Sequence, residues 1–291
     1  MPDFAIGTAA QLATQLEGVR SGRQWRCRCP VHGGHSLSIT EGRFGKLIFR
    51  CWGADCAFED IVAALRQEQI DVPHCDPAMT QERDPQRRID RALSLYWSAI
   101  PASGTIIETY LRSRSIAPPV PEVLRFLPYA PHRDGRCYPA MVGLVVNVVG
   151  DSVGVHMTYL APDGRGKYPF HDKTLQRECR GVLRGGAVRL APLDPRRELI
   201  IGEGIESVLS AMQIFGLPGW AALSAPGLVA LELPSGISHV AIATDRDLNG
   251  VGQKAALVAY ERWTAEDRKV DLLLPSSPGF DFSDELKTRT T

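Results

Sequence analysis

Residues 198–206 read ELIIGEGIE, and residues 239–247 read HVAIATDRD. In both stretches an apolar run is followed closely by acidic residues, Glu203 in the first and Asp245 and Asp247 in the second. Short apolar runs bounded by turn residues are typical of buried strands in a parallel sheet. Active groups of parallel α/β sheets lie at the carboxyl ends of the strands. The three carboxylates are therefore predicted to meet at one edge of a sheet.

The sequence around these two runs predicts the rest of the sheet. Strand patterns at 198–201, 220–223, 239–244 and 270–274 alternate with helix patterns at 206–215, 227–233 and 252–265. This alternation is typical of a parallel sheet covered by helices on both faces. The C-terminal fold class is therefore predicted to be α/β, within a chain that is α+β overall.

Carboxylates clustered at one edge repel each other unless a cation neutralises them. Sites with only oxygen ligands favour Mg²⁺ or Mn²⁺. Asp281 follows the last predicted strand and is predicted to join Glu203, Asp245 and Asp247 as a ligand, with Asp284 as a weaker candidate. Such a centre can hold phosphates and stabilise in-line attack on phosphorus.

A second cluster of metal-ligand residues lies near the N-terminus. Cys29 and His32 form a C-x2-H pair and Cys51 and Cys56 a C-x4-C pair, with strand-like residues between the two pairs. Zinc prefers four sulfur or nitrogen ligands in a tetrahedron, and a hairpin between two short ligand pairs brings them together. Cys27 in place of Cys29, and His35 in place of His32, remain open alternatives.

Basic and aromatic residues surround the predicted zinc site. This combination is typical of surfaces that bind single-stranded nucleic acid, although Phe49 is expected to pack in the small core instead. The residues are Arg23, Arg26, Arg28, Arg43, Lys46, Arg50, Phe44, Phe49 and Trp52.

The middle of the chain is predicted to begin with helices and to continue as strands. Helices are expected at residues 89–100 and 105–114, after short helices at 4–16 and 59–67 and a polar linker at 74–88. Strands are expected at 141–149 and 153–160. The basic segment that follows offers candidate phosphate contacts for nucleotide or template: Arg165, Lys167, Lys173, Arg177 and Arg180.

Composition sets broader limits. The chain has 291 residues and zero formal net charge, but residues 1–56 carry seven basic and four acidic residues, whereas residues 198–291 carry seven and thirteen. The basic N-terminal segment is suited to binding a polyanion, and the acidic C-terminal segment is suited to binding divalent cations. Seven cysteines, four of them within residues 27–56, favour a metal site over disulfides. With no membrane-span or signal-peptide pattern, the expected location is cytoplasmic.

The N-terminal motifs CPVH, SLSI and FRCWGADC, followed by a short helix, resemble the Cys-His-Cys-Cys zinc ribbon of bacterial and phage primases. The second knuckle departs from the family's C-x2-C. Residues 196–291, with EGIE, DRD and DFSD, resemble the Toprim domain that primases share with topoisomerases and some nucleases. The whole is similar to primase-like Toprim proteins of phages and mobile elements.

The resemblance implies four regions and a function. The regions are a zinc ribbon with flanking helices (1–75), a helical linker region (76–118), an N-terminal lobe of the polymerase core (119–195) and a Toprim domain (196–291). The implied function is a DNA primase that makes RNA primers on single-stranded DNA by metal-dependent nucleotidyl transfer.

In that function Glu203, Asp245 and Asp247 are the catalytic residues, and Arg165, Lys167, Lys173 and Arg180 hold nucleoside triphosphates. A separate replicative helicase is expected as a partner. A Toprim nuclease and a non-catalytic zinc-ribbon module that binds single-stranded DNA remain the alternatives.

Overall fold

The computed structural model describes residues 9–22, 24–41, 47–54, 56–70, 84–193, 197–246 and 250–290. The chain divides into two compact units, Met1–Arg83 and Asp84–Thr291. No helix in the described ranges is both long and apolar enough to span a membrane.

The first unit is a small antiparallel sheet with one helix before it and one after it. Its strands pair in sequence order, β1-β2-β3-β4. Strand β4 alternates, so that Leu47, Phe49 and Cys51 are buried while Ile48 and Arg50 are exposed, as expected for a sheet with one face on a core. The elements are α1 (Ala9–Gln15), β1 (Val19–Ser21), β2 (Gln24–Cys27), β3 (Leu37–Glu41), β4 (Leu47–Cys51) and α2 (Phe58–Gln67).

The second unit is built on one mixed sheet of ten strands in its described part. Its first half contains α3 (Pro85–Ser98), β5 (Ile100–Pro101), α4 (Ile106–Ser113), β6 (Leu124–Pro131), β7 (Cys137–Val146), β8 (Ser152–Tyr159), β9 (Arg177–Gly181) and β10 (Ala187–Arg189). Its second half contains β11 (Glu198–Gly202), α5 (Ile205–Phe215), β12 (Gly219–Ala221), α6 (Ala225–Ala230), β13 (His239–Ala243), α7 (Val251–Ala265), β14 (Lys269–Leu273) and α8 (Phe282–Thr290).

The C-terminal strands form the predicted parallel sheet, in the order β12-β11-β13-β14. Alternate residues of β11 enter two separate cores: Ile200 packs in the core that includes α5 and α8, and Leu199 and Ile201 pack in the core that includes α6 and α7. Successive side chains of a strand point to opposite faces. Helices therefore cover both faces, and the predicted α/β class is confirmed.

Strand β7 connects this parallel sheet to the antiparallel strands before it. Along one edge it pairs with β6 and, near its end, with β10, and along the other edge it pairs with β8. Strand β10 in turn pairs with β12. The middle segment and the C-terminal block therefore share one continuous sheet.

Several boundaries differ from the sequence predictions. Helix α3 begins at Pro85 and not after a linker that extends to residue 88, because Asp84 caps it by accepting a hydrogen bond from Gln86 N at 2.9 Å. Strands β6 and β9 and helix α8 were not predicted. Residues 126–131 of β6 (FLPYAP) contain two prolines, which argue against a strand in sequence alone.

Candidate metal centres

The structure brings the four predicted zinc ligands together. The ligand atoms of Cys29, His32, Cys51 and Cys56 all lie within 4.8 Å of one another. Cys29 Sγ and Cys56 Sγ are 3.9 Å apart, and His32 Nε2 lies 3.1 Å from Cys51 Sγ. A tetrahedral zinc with Zn–S bonds of about 2.3 Å places its sulfur ligands about 3.8 Å apart. Donor types and spacing therefore both fit zinc.

Short turns position these ligands. Cys29 and His32 follow β2 in a tight turn, in which Gly33 N donates to Cys29 O and Cys29 N donates to Gly34 O, both at 2.8 Å. Cys51 ends β4, and Cys56 lies just before α2. The cluster thus joins the sheet of the first unit to its last helix.

The thiols of the cluster differ in acidity. Burial alone would raise the pKa of Cys51, but hydrogen bonds from the backbone at Ala54 and Cys56, and from Ser36, lower it to about 5. Burial, followed by hydrogen bonds with Cys51 and Cys29, raises the pKa of Cys56 to about 12. A metal ion therefore has to displace at least the Cys56 proton when it binds.

The two alternative ligands are placed elsewhere. Cys27 is fully buried in the apolar core of the first unit, and burial raises its pKa to about 11. His35 Nε2 lies 3.9 Å from Glu17 Oε2. Neither Cys27 nor His35 belongs to the ligand cluster. The cluster consists of the preferred set, Cys29, His32, Cys51 and Cys56.

Part of the expected basic and aromatic surface is visible beside this cluster. Trp52 is 55% exposed and the Arg50 guanidinium lies 3.8 Å from its ring centroid, so an aromatic face and a cation are presented together. Phe49 is buried against Phe58, as expected for a core residue. Arg23, Arg43, Phe44 and Lys46 lie outside the described residues.

The predicted acidic edge is at the carboxyl ends of β11 and β13. Glu203 directly follows β11, and Asp245 lies two residues beyond β13 with a buried Oδ1. A Cβ atom at Gly252 would lie 2.8 Å from Glu203 Oε1, so the start of α7 packs closely against this carboxylate. Asp247 lies outside the described residues. Among the described ones, no three carboxylates come as close together as the zinc ligands do.

Asp281 has a structural role at the start of α8. Asp284 N donates to Asp281 Oδ1 at 2.9 Å and Asp281 N donates to Asp284 Oδ2 at 3.3 Å, a reciprocal cap. Asp281 Oδ2 also lies 3.8 Å from Arg114 Nη1. Just before it, Arg246 N donates to Phe280 O, so the cap adjoins the loop that carries Asp245.

Glu206 lies in a buried ionic cluster that sequence reasoning missed. Its Oε1 lies 3.1 Å from Lys167 Nζ and accepts a hydrogen bond from the Tyr110 hydroxyl at 2.6 Å. Burial alone would raise the pKa of Glu206, but the positive charges of Lys167 and Arg114 hold it well below its usual range. Burial also lowers the pKa of nearby His156 to about 4, so this imidazole is neutral at pH 7. Partners this distant in sequence leave no local signal.

The other predicted phosphate contacts lie in different surroundings. Arg165 and Lys173 are exposed. Arg180 Nη2 donates to Pro131 O at 2.8 Å and lies 3.2 Å from Glu178 Oε1. Arg165 and Lys173 therefore remain available to a ligand, whereas Lys167 and Arg180 also hold protein groups.

Comparison with known families identifies the C-terminal block. Residues 198–291 match the Toprim domain, and residues 86–190 match a domain of unknown function, DUF7146. The predicted Toprim domain is thus confirmed, and the same chain has a zinc-compatible cluster in its N-terminal unit. No curated protein matches the chain.

Several solved structures are similar to the chain. A primase from Aquifex aeolicus (zinc-binding and RNA polymerase domains) is 16% identical, with a TM-score of 0.44, over 98% of this chain and 80% of that one. A DnaG primase catalytic domain bound to single-stranded DNA is 14% identical, with a TM-score of 0.44, over 70% and 78%. The primase fragment of the bacteriophage T7 primase-helicase is 13% identical, with a TM-score of 0.39, over 88% and 90%.

Proposed function

We propose that the chain is a DNA primase, which synthesises short RNA primers on single-stranded DNA by metal-dependent nucleotidyl transfer. The observation that carries this proposal is the combination, in one chain, of a Cys-His-Cys-Cys cluster and a Toprim domain. The Toprim domain alone would equally suit a nuclease or a topoisomerase. The zinc ribbon in front of it favours priming.

The first unit would contact the template. Zinc held by Cys29, His32, Cys51 and Cys56 would fix the turns that carry them, and Trp52 with Arg50 offers a stacking face and a cation beside this site. Base stacking on aromatic residues does not depend strongly on sequence. This surface therefore suits a single strand of varied sequence.

The Toprim edge would hold the reacting phosphates. Glu203, Asp245 and Asp247 offer only oxygen donors, which fit Mg²⁺ or Mn²⁺, and the buried Oδ1 of Asp245 keeps one donor away from bulk solvent. When bound, such an ion neutralises phosphate charge and favours in-line attack by a hydroxyl. Glu203 is held in place between the end of β11 and Gly252 of α7.

Exposed basic residues of the middle segment would steer the triphosphate. Arg165 and Lys173 suit this role because their charges face solvent. Lys167 and Arg180 would act mainly by positioning, since they hold Glu206 and Glu178. With this function, a cytoplasmic location and a separate replicative helicase as partner are expected.

The proposal is tested by incubating the protein with single-stranded DNA, labelled ribonucleoside triphosphates and Mg²⁺. We expect short labelled RNA with the wild type and a loss of about 100-fold or more in Glu203→Gln and Asp245→Asn, because a metal-holding carboxylate is removed. Asp267→Asn is the matched control. This residue precedes β14 at the opposite end of the parallel strands and has a positive φ of 59°, which Asn tolerates.

The same reactions distinguish the alternatives. If the wild type shortens the DNA without making RNA, and both variants lose this cleavage, the protein is a Toprim nuclease and not a primase. If all variants bind DNA equally and neither RNA nor shortened DNA is formed, the protein is a non-catalytic module that binds single-stranded DNA.

A further inference from the structure

A large cleft lies at the other end of the parallel strands from the acidic edge. It encloses about 1230 Å³ within the second unit and is lined by the end of α3, the start of β6, and residues of β10 and β12. At this end Leu190 N donates to Gly219 O and Ile200 N donates to Pro218 O, which places the cleft beside the amino ends of β11 and β12. Its lining includes neither Glu203 nor Asp245, the described carboxylates of the acidic edge. The cleft is therefore distinct from the candidate magnesium site.

Two arginines in the cleft wall each lie over aromatic rings. The Arg125 guanidinium is 5.2 Å from the ring centroid of Tyr96 and 5.7 Å from that of Trp97. The Arg189 guanidinium is 4.3 Å from the ring centroid of Trp220, its register partner in the next strand. Arg125 Nη1 donates to Tyr96 O at 3.3 Å and Arg189 Nη2 donates to Asn147 O at 2.5 Å, so backbone carbonyls fix both guanidinium groups. Among the described residues, Arg125 Nη2 and Arg189 Nη1 have no acceptor and are left for a ligand. The cleft thus offers two fixed cations beside stacking surfaces.

Some of these donors lack a partner within the described part of the protein. Trp220 is 2% exposed, and its Nε1 donates to no described group. The Nε of Arg189 is likewise buried without a described acceptor. Both atoms are closed off from solvent, so they belong to the wall behind the cleft, and a ligand would contact the other edges of these side chains. Trp97, by contrast, is 63% exposed, so part of its ring faces solvent at the rim.

The charged residues of the lining also favour a ligand with negative charge. Among its residues Arg125 and Arg189 are basic and Glu122 alone is acidic. The remaining lining residues are apolar, aromatic or small, which suits a flat and uncharged ring system. Anionic and aromatic character are combined in a nucleotide.

We infer that this cleft binds a nucleotide unit, with its base against Trp97 and its phosphate between Arg125 and Arg189. The volume exceeds the 300–1,000 Å³ of ordinary small-molecule pockets, so the occupant favoured is a run of nucleotides in a single strand. The inference goes beyond the proposed primase function and holds whether or not the acidic edge is catalytic.

The test localises bound nucleic acid on the full chain without added Mg²⁺. A thymidine pentanucleotide that contains one 5-bromodeoxyuridine is crosslinked by ultraviolet light, and the adducts are mapped by peptide mass spectrometry. We expect an adduct at Trp97 or Tyr96, and the yield of this adduct against oligonucleotide concentration gives the Kd of this site alone. Adducts confined to other peptides would overturn the inference.

Variants then test the phosphate contact. Arg125→Ala is expected to weaken the Kd of this adduct about tenfold, as for loss of a charge-assisted hydrogen bond, and to reduce the slope of log K against log salt by about 0.7. Arg125→Lys keeps the charge and is expected to retain most of the binding. Arg87→Ala, at the exposed start of α3, the helix that carries Trp97 at its other end, is the control that leaves the Kd unchanged.

Competition with a free nucleotide shows whether the cleft binds a mononucleotide or a single strand. If dTMP competes for the Trp97 adduct as well as the pentanucleotide does, the site takes a mononucleotide. If the pentanucleotide competes at least fivefold better, the site takes a strand. An adduct at Trp97 whose Kd and salt slope are both unchanged in a folded Arg125→Ala protein would refute the phosphate contact and with it the nucleotide site.

Discussion

The buried pair of Lys167 and Glu206 gives the prediction that depends most directly on the structure. Lys167→Met removes the ammonium and keeps a side chain of similar length. Glu206 is 4% exposed and would then keep the Tyr110 hydroxyl and the charge of Arg114, but lose the ammonium that lies 3.1 Å from its Oε1. We expect the second unit to become less stable, because a buried carboxylate loses part of its compensation.

The size of the effect follows from distance and burial. At 3.1 Å and an effective dielectric constant of 20, the two charges attract by about 5 kcal/mol. Arg114 and Tyr110 still compensate Glu206, so the expected net loss is about 3 kcal/mol, at the lower end of the range for broken buried pairs. For a unit of about 200 residues, such a loss lowers Tm by about 6–12 °C.

The assay is calorimetric unfolding of the full chain, with Lys269→Met as the matched control. Lys269 is 69% exposed and 3.7 Å from Asp271 Oδ2, and its loss is expected to cost less than about 1 kcal/mol. The double variant Lys167→Met/Glu206→Gln, which buries no unpaired charge, is expected to recover part of the loss. If Lys167→Met lowers Tm no more than Lys269→Met does, the buried pair has been assigned wrongly.

The pH dependence follows from the lowered pKa of Glu206. A carboxyl whose pKa is lower in the folded state contributes stability above its unfolded pKa, about 4.3, and loses it as pH falls towards the folded pKa. The Tm difference between wild type and Lys167→Met is therefore expected to be full at pH 7 and to shrink below about pH 4. A difference that grows on acidification would contradict the sign of this argument.

Three further predictions concern the metal centres and the caps. Metal analysis is expected to give one zinc per chain, and a folded, zinc-free first unit would contradict this. The zinc affinity is expected to fall as pH is lowered, because the Cys56 thiol, with a pKa of about 12 in the absence of metal, has to lose its proton. Asp281→Ala removes the cap of α8 and is expected to cost about 1 kcal/mol in urea unfolding, whereas an unchanged midpoint would mean that the cap contributes nothing. Gly252→Ala brings a Cβ within 2.8 Å of Glu203 Oε1, and we expect primer synthesis to fall about 10–100-fold with unchanged DNA binding; full activity would show that the carboxylate position is not critical.

The features predicted best from the sequence were those set by local pattern. The apolar runs of β11 and β13 each end beside an acidic residue, so strand, edge and carboxylate could be read together. The short spacings within the Cys29–His32 and Cys51–Cys56 pairs likewise predicted a metal cluster, because short loops leave few ways to arrange four ligands. Both features depend on residues close together in sequence.

Contacts between distant segments could not be predicted in this way. Glu206 meets Lys167 and Tyr110 across 39 and 96 residues of sequence, and no local pattern indicates such a partner. The same holds for the cleft, where Arg125 of β6 and Arg189 of β10 line one wall only because both of their strands pair along the same edge of β7. Strand β6 itself was missed because its prolines obscure the pattern, although a bulge between Leu127 and Ala130 accommodates Pro128.

The most direct test of the proposed function is RNA synthesis on circular single-stranded DNA, which has no end to extend. The wild-type protein, with zinc bound and Mg²⁺ added, is given labelled ribonucleoside triphosphates, and the products are separated by length before and after alkali. The proposed function predicts short, alkali-labile products that disappear in Glu203→Gln and persist in Asp267→Asn. Circles that are only nicked or left intact, with no labelled RNA from the zinc-loaded wild type, would contradict it.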